Sequence, residues 1–536
     1  MASKRAIVFA AFLWFAFVFV GCGGGGEKNS VAPPKPDFTF AVNPPTLLAT
    51  IGAASPPAVI SVAAENNFSG SVTVAITGLP DGVTSSPQSP ITVAAGGSQE
   101  VTFLASSSEA LGDIPLQLTA SGGGFSKNGS LTLKLLSSPT VRTYQDGTKL
   151  FLEAGIGSEV ARVGLLTSWG GTIVEASLNG TNYVNSNDPG RQVQVSLWDG
   201  DADYVNSWGY NPVQAGDRYF DGSPVLQQTI GPDSIYIKTQ PIQWAPESFG
   251  GGAGNPVLGD AYVEQWLTPV PNRGRAFKVH YKITHFGTDT HTNAFQELPV
   301  VYVNRGFDTF IYSDAAPWTY GTVTHYTMPP LPDRSPTLYA PERWGAYVDS
   351  GDSGLTVFVP SSYPYVSGFF ADAPSPEGTN SFTPFAAFTW YPGAVFEGDI
   401  YLIVGPVAEA RPVVYGLRHQ DSAPSRYAPF GFLEEPASGA TVSGNSVQLG
   451  GWVIGTSPIA SVQILVDGSS LGNAAYGLSR PDLPEALPGQ SKDVGFDYSL
   501  DSTKFANGAH NLSVKATDQN GNIAIFPTCH LTVSNP

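Results

Sequence analysis

The hydrophobic pattern changes character once, near the start of the chain. Ala6 to Val20 is an unbroken apolar run behind Lys4 and Arg5. A bilayer-spanning helix needs about twenty apolar residues, so the run is short for a permanent span and has the length of a signal-peptide core. From there on, apolar residues alternate with small polar ones, as in Ser71-Val72-Thr73-Val74-Ala75-Ile76. A sheet with one buried face imposes that period of two. Strands are predicted at Val59–Val62, Ser71–Ile76, Glu100–Leu104, Ile114–Ala120 and Ser130–Leu135. A second group is predicted at Ile173–Leu178, Gln192–Leu197, Ser234–Thr239, Tyr262–Thr268, Phe277–Thr284, Leu298–Val303, Thr356–Val359 and Asp399–Val404. Gly, Pro, Asn and Asp punctuate them, and no long 3.6-residue period intervenes. The chain reads as all-β.

Composition divides the chain. The stretch 37–137 has strands and turns at sandwich spacing and no cluster of titratable or aromatic side chains. The stretch 138–420 is too long for one such sandwich and is richer in Trp, Tyr and Phe; it reads as one large antiparallel β-sandwich. The stretch 428–536 returns to short strands, with hairpin turns at Asp467-Gly468 and Asn507-Gly508. Its Asp482, Asp493, Asp497, Asp501 and Asp518 suit either solvated turns or a structural calcium ion. The net charge of −18 excludes tracking of a phosphate backbone, so nucleic acid is not an expected partner.

Three resemblances follow from short motifs. Phe19-Val20-Gly21-Cys22 resembles a bacterial lipobox, with Phe19 where Leu is usual. It implies a signal peptide over 1–21, lipid on Cys22, a flexible tether over 22–36 and a place in the cell envelope. Gly23 lacks the aspartate linked to inner-membrane retention, which implies the outer membrane where one exists. Phe68 to Val83, and the succession Pro436 to Gly444, Gly451-Trp452, Val462 to Gly468 and Asn507 to Asp518, resemble the Ig-like domains of bacterial surface proteins. Gly170 to Gly180 followed by Gly190-Arg191 resembles the galactose mutarotase-like sandwich superfamily. The implied architecture is a mutarotase-like supersandwich flanked by two Ig-like sandwiches, and the implied ligand is a sugar. Mutarotases use two histidines and a late glutamate; His280 and His285 do not align to that pair.

The central loops carry the parts sugar recognition uses: amides and carboxylates for hydroxyl pairs, an Arg fork and aromatic faces. Asp188, Arg191, Trp208, Asn211, Gln214, Arg343 and Trp344 are the candidate binding residues. Hydrolysis of a glycosidic bond typically needs two carboxylates. Asp188, Asp217, Glu264, Glu297 and Glu342 are available, with Glu297 and Asp217 preferred: Glu297 opens the apolar strand Leu298–Val303, where desolvation would raise its pKa. Each also has a structural reading, as a turn residue or a strand-face ion pair. A lyase would draw instead on Tyr210, His291 or His325 with Arg191 or Arg343. Asp199-Gly200-Asp201-Ala202-Asp203 opens like a calcium loop but has Tyr204 and Tyr210 where the EF-hand pattern has Gly and Glu. No His/Cys cluster has zinc spacing, and no P-loop, dinucleotide fingerprint or nucleophile elbow occurs. The expected function is that of a surface-anchored glycoside hydrolase acting on extracellular polysaccharide. The alternatives are a glycan-binding or adhesive lipoprotein without turnover, and a polysaccharide lyase.

Overall fold

The computed structural model describes residues 34–185, 190–200, 209–326, 337–369, 379–418, 429–455, 457–483 and 491–536. Asp188, Trp208, the lipobox with Cys22, and Asp201 and Asp203 of the Asp-rich loop lie outside the described residues. Among those described, the protein is nearly all β, with one α-helix.

Alternation decides which face each strand buries. In Ser71–Thr77 the residues Val72, Val74 and Ile76 point inward and their neighbours outward. A four-stranded and a five-stranded sheet of residues 37–136 close over that core. Residues 430–533 form a second sandwich, of four and six strands, around Val453, Ile464, Val514 and Phe526. There Asp467 and Gly468, both at positive φ, turn Ile459–Val466 back into Ser469–Asn473. Two left-handed residues are what a tight two-residue hairpin requires.

Between them stand a thirteen-stranded and a nine-stranded sheet, face to face. Val193 and Val195 from one sheet and Val263, Phe277, Val279 and Ile283 from the other share one core. Part of the outer face of the nine-stranded sheet is polar. Tyr236, Trp266, His280 and Asp399 align across four strands, beside the alternating charges Lys238, Glu264, Lys282 and Glu397. Glu264, a candidate acid by sequence, accepts the Tyr236 hydroxyl there at 2.8 Å.

The helix Val407–Leu417 was not expected. Pro412 and Gly416 mask its periodicity, yet Val407, Ala410, Val414 and Leu417 cover a second core with Trp344, Ile403 and Phe358. Glu342 lies beneath it, buried, and accepts from Tyr415 Oη (2.6 Å), Trp344 Nε1 (2.7 Å), Trp318 N (2.9 Å) and Arg411 (3.1 Å). Two expectations change here. Glu342 is a structural counter-ion rather than a site acid, and Trp344 is a core residue with no face for a sugar. Arg343, at positive φ, donates from Nη1 to the Pro360 carbonyl at 2.8 Å.

The three parts are joined by more than chain. Thr50 Oγ1 donates to Asn272 O at 2.9 Å, and Arg418 pairs with Glu100. Trp452, Ile454, Leu483 and Val494 of the last sandwich belong to the central core. Among the described residues, no helix is long and apolar enough to cross a membrane.

Candidate functional site

The strand His291–Asn304 organises the site. It belongs to the thirteen-stranded sheet, while the strand before it, Ala276–His285, belongs to the nine-stranded one. The chain changes sheets between them. Segment 196–200 runs along the strand's first half: Ser196 pairs with Glu297, Gln296 holds both Trp198 N and Trp198 O, and Gly200 N donates to Thr292 O.

Glu297 sits mid-strand rather than at the strand's start. Burial pushes its carboxyl up to about 7, against the opposing pull of hydrogen bonds from Ser196 and Trp198. A carboxyl poised there can hold a proton near neutral pH and release it to a leaving oxygen.

Asp217 is placed elsewhere. Its Oδ1 accepts the backbone amides of Tyr219 (2.9 Å) and Asp221 (3.0 Å), which makes it the cap of a tight turn. Burial raises its pKa against those amides, and its Oδ2 is buried without a hydrogen-bond partner among the described residues. Its charged neighbours are Asp221 and Glu247, whereas Glu297 faces Ser196 and Trp198, so the structure does not pair the two preferred carboxylates. Asn211 and Gln214 are buried, and their amides brace the backbone. Asn211 Nδ2 reaches Ser196 Oγ (2.8 Å) and Leu197 O (3.0 Å); Gln214 Oε1 accepts Val195 N (3.1 Å). Arg191 is half-buried, with its carbonyl held by Asn185 Nδ2 at 2.8 Å.

Five side chains converge at the sheet change. Tyr210 Oη donates to Asp260 Oδ1 at 2.7 Å. His285 Nε2 and His291 Nε2 lie 3.0 and 3.2 Å from Asp260 Oδ2. His291 Nδ1 lies 3.2 Å from Asp199 Oδ2, whose Oδ1 accepts Thr292 N and Oγ1 at 2.9 Å each. The Tyr210 and His291 rings stack with centroids 3.6 Å apart. Burial would lower the His291 pKa, but the Asp199 and Asp260 carboxylates outweigh it and hold it at about 9. Burial would likewise raise Asp260, and its hydrogen bonds with His285, His291 and Tyr210 instead keep it well below the usual carboxylate range. Burial pushes the Tyr210 phenol well up. Tyr210 and His291 were candidates by sequence, and the fold brings them into contact. Asp260 and the partnership with His285 were missed, because they arise from strand pairing: Ala261, next to Asp260, lies opposite His285. His325 is elsewhere, exposed beside Asp352 at 3.2 Å. Asp199, the described aspartate of the calcium-like motif, has both oxygens engaged within the protein.

Next to this cluster lies a cavity of about 400 Å³ lined by Gly200, Asn293, Phe295, Phe385, Phe430 and Phe432, among others. It falls between the central sandwich and the last one. Phe295 and Phe385 meet edge to face with centroids 4.7 Å apart, as do Phe385 and Phe430 at 5.0 Å. Asn293 is 3% exposed, and its Oδ1 is buried without a hydrogen-bond partner among the described residues.

Residues 429–514 match the bacterial Ig domain family, so the last sandwich carries a recognised Ig-like module. No curated protein matches the chain. Among solved structures, an endo-β-1,4-mannanase from Thermotoga petrophila is similar at 14% identity and TM-score 0.17, over 24% of each chain. A polysaccharide lyase is similar at 9% identity and TM-score 0.27, over 71% of this chain and 47% of its own. The N-terminal four Ig domains of Dscam1 are similar at 11% identity and TM-score 0.16, over 93% of this chain and 99% of theirs. The chain thus spans about a quarter of the mannanase and about half of the lyase. Such scores fall short of a shared overall fold, and the functional reading rests on the side chains above.

Proposed function

We propose that this is a lipid-anchored envelope protein whose central sandwich binds an extracellular polysaccharide and cleaves it with Glu297 as proton donor. The observation that carries the reading is the phenylalanine-lined cavity with Asn293 at its wall. Aromatic faces cover the C–H-rich faces of sugar rings. Among the described lining residues Asn293 supplies the polar side chain, an amide of the kind that pairs with sugar hydroxyls. Asn293, Phe295 and Glu297 follow one another at every second place of one strand, so binding groups and proton donor come from a single rigid element. The second carboxylate of a hydrolase would have to come from beside Glu297. Asp217 caps a turn beside Asp221 and Glu247, and Asp199 is the described acid on the segment paired with the strand of Glu297. Lipid anchoring at Cys22 and envelope localisation enter from the lipobox resemblance alone.

A specific observation favours a second reading. The stacked Tyr210–His291 pair, with Asp260 on the phenol, supplies the aromatic acid–base group that a polysaccharide lyase uses.

One experiment separates the readings. The full chain is offered a panel of neutral and acidic polysaccharides, and products are assayed for new reducing ends and for the ultraviolet absorbance of a conjugated double bond. Hydrolysis gives the first signal alone, elimination gives both, and a binding protein gives neither while still retaining glycan. Glu297→Gln should lower hydrolysis by about a hundredfold or more and leave affinity nearly intact. Absence of any glycan ligand would end the carbohydrate reading.

A further inference from the structure

The hydrogen bonds around His285 and His291 fix where their protons are. His285 Nδ1 lies 2.9 Å from the Tyr391 carbonyl, which can only accept, so Nδ1 carries the hydrogen. His291 Nδ1 faces the Asp199 carboxylate, again an acceptor. That leaves Nε2 of each ring as the nitrogen free to ligate. Both Nε2 atoms point at the same oxygen, Asp260 Oδ2, at 3.0 and 3.2 Å. The two rings lie 5.0 Å apart and His285 is fully buried, so three possible ligand atoms from three separate positions of the chain converge on one point.

We propose that Asp260, His285 and His291 are the ligands of a divalent metal ion, with a donor set suited to zinc, which ties the two central sheets together where the chain crosses between them. Two imidazole nitrogens and one carboxylate oxygen suit zinc, whereas calcium and magnesium take oxygen donors. The spacing agrees. A tetrahedral zinc ion with bonds of about 2.0–2.1 Å has ligand–ligand edges of about 3.3–3.4 Å. The Nε2–Oδ2 separations are 3.0 and 3.2 Å, and all three ligand atoms lie within 4.8 Å of one another. The surrounding hydrogen bonds are those that orient metal ligands: a carboxylate on one histidine, a backbone carbonyl on the other and a phenol on the carboxylate. Three protein ligands leave a fourth position for water. His285 ends a strand of the nine-stranded sheet and His291 opens one of the thirteen-stranded sheet, so the ion would bridge both through residues 286–290. This inference does not depend on the carbohydrate reading.

The test uses the full chain, stripped with a strong chelator and then titrated with Zn²⁺ or Co²⁺. The expected result is one Zn²⁺ per chain retained on dialysis, and visible absorption bands of four-coordinate Co²⁺. His291→Gln should abolish this binding. Asp199→Asn, which leaves all three ligands in place, should weaken Zn²⁺ binding about 10–100-fold. His280→Ala, which alters a surface histidine paired with Asp399, should bind as the wild type does. Should His291→Gln fail to fold, Asp199→Asn decides. Less than one equivalent bound by the stripped wild type would overturn the proposal. So would Zn²⁺ affinity unchanged in Asp199→Asn and, where it folds, in His291→Gln.

Discussion

Glu297→Gln should make the protein more stable at neutral pH, and the size of the gain follows from the site. The carboxyl is held at about 7 in the folded protein against an ordinary value of 4.5. Below pH 4.5 it is protonated in both folded and unfolded chains, and folding is indifferent to it. Between 4.5 and 7 the unfolded chain gives up its proton and the folded one keeps it, so stability falls as pH rises. Above 7 the folded chain carries the full cost of a desolvated carboxylate. At about 1.4 kcal/mol per unit this comes to roughly 3 kcal/mol, and the half-buried setting of the whole residue brings it nearer to about 2. Glutamine keeps the shape and the hydrogen bonds and cannot ionise. The assay is urea unfolding of wild type and Glu297→Gln in parallel at about pH 4 and about pH 8. The two should coincide at the lower pH, and the variant should be more stable by roughly 2–3 kcal/mol at the higher. An equal difference at both values, or a variant less stable at about pH 8, would refute a desolvated Glu297.

Three further outcomes are expected. Glu342→Ala strands the Arg411 guanidinium beneath the helix and should destabilise the central sandwich by about 3–5 kcal/mol, read from the fluorescence midpoint of unfolding with Trp318 and Trp344 as reporters. Phe432→Ala removes a side chain that is 47% exposed, so it should weaken glycan retention about tenfold or more while leaving the melting temperature within a few degrees. The fragment 429–536 has its own core and should fold alone, but it should bind a hydrophobic dye through Trp452, Ile454, Leu483 and Val494, a signal absent from the full chain. Equal dye binding by fragment and full chain would count against the shared core.

What was legible in the sequence was whatever repeats locally. Ser71–Ile76 shows its buried face because each residue's side follows from its neighbour's, and the observed strand is Ser71–Thr77. Tyr262–Thr268 was likewise read to within a residue or two of Ala261–Pro269. The site was legible only in pieces. Tyr210 and His291 stand 81 residues apart, and Asp260 enters through the pairing of Ala261 with His285. Glu297 could be suspected of desolvation from the apolar residues that follow it, and its carboxyl is indeed raised. Nothing local, however, marked Asp217 as a turn cap or Trp344 as a core residue. The helix was hidden for the opposite reason: Pro412 and Gly416 argue against a helix, and only packing over Trp344 and Ile403 overrides them.

The first sandwich also has a mechanical character. Its second strand, Thr46–Thr50, runs parallel to its last, Phe125–Leu136, with five residues in register. The last strand leads directly into the central sandwich. Tension from a tethered N-terminus would peel the outer strand Asp37–Asn43 from its antiparallel neighbour and then reach this pair. Because the two strands run the same way and would be drawn from opposite ends, the load slides one along the other. Their hydrogen bonds then bear it together instead of opening one by one. A module built this way lengthens little until it fails all at once. Pulled between its N-terminus and the central sandwich, this module would therefore keep its own length up to the load at which it fails.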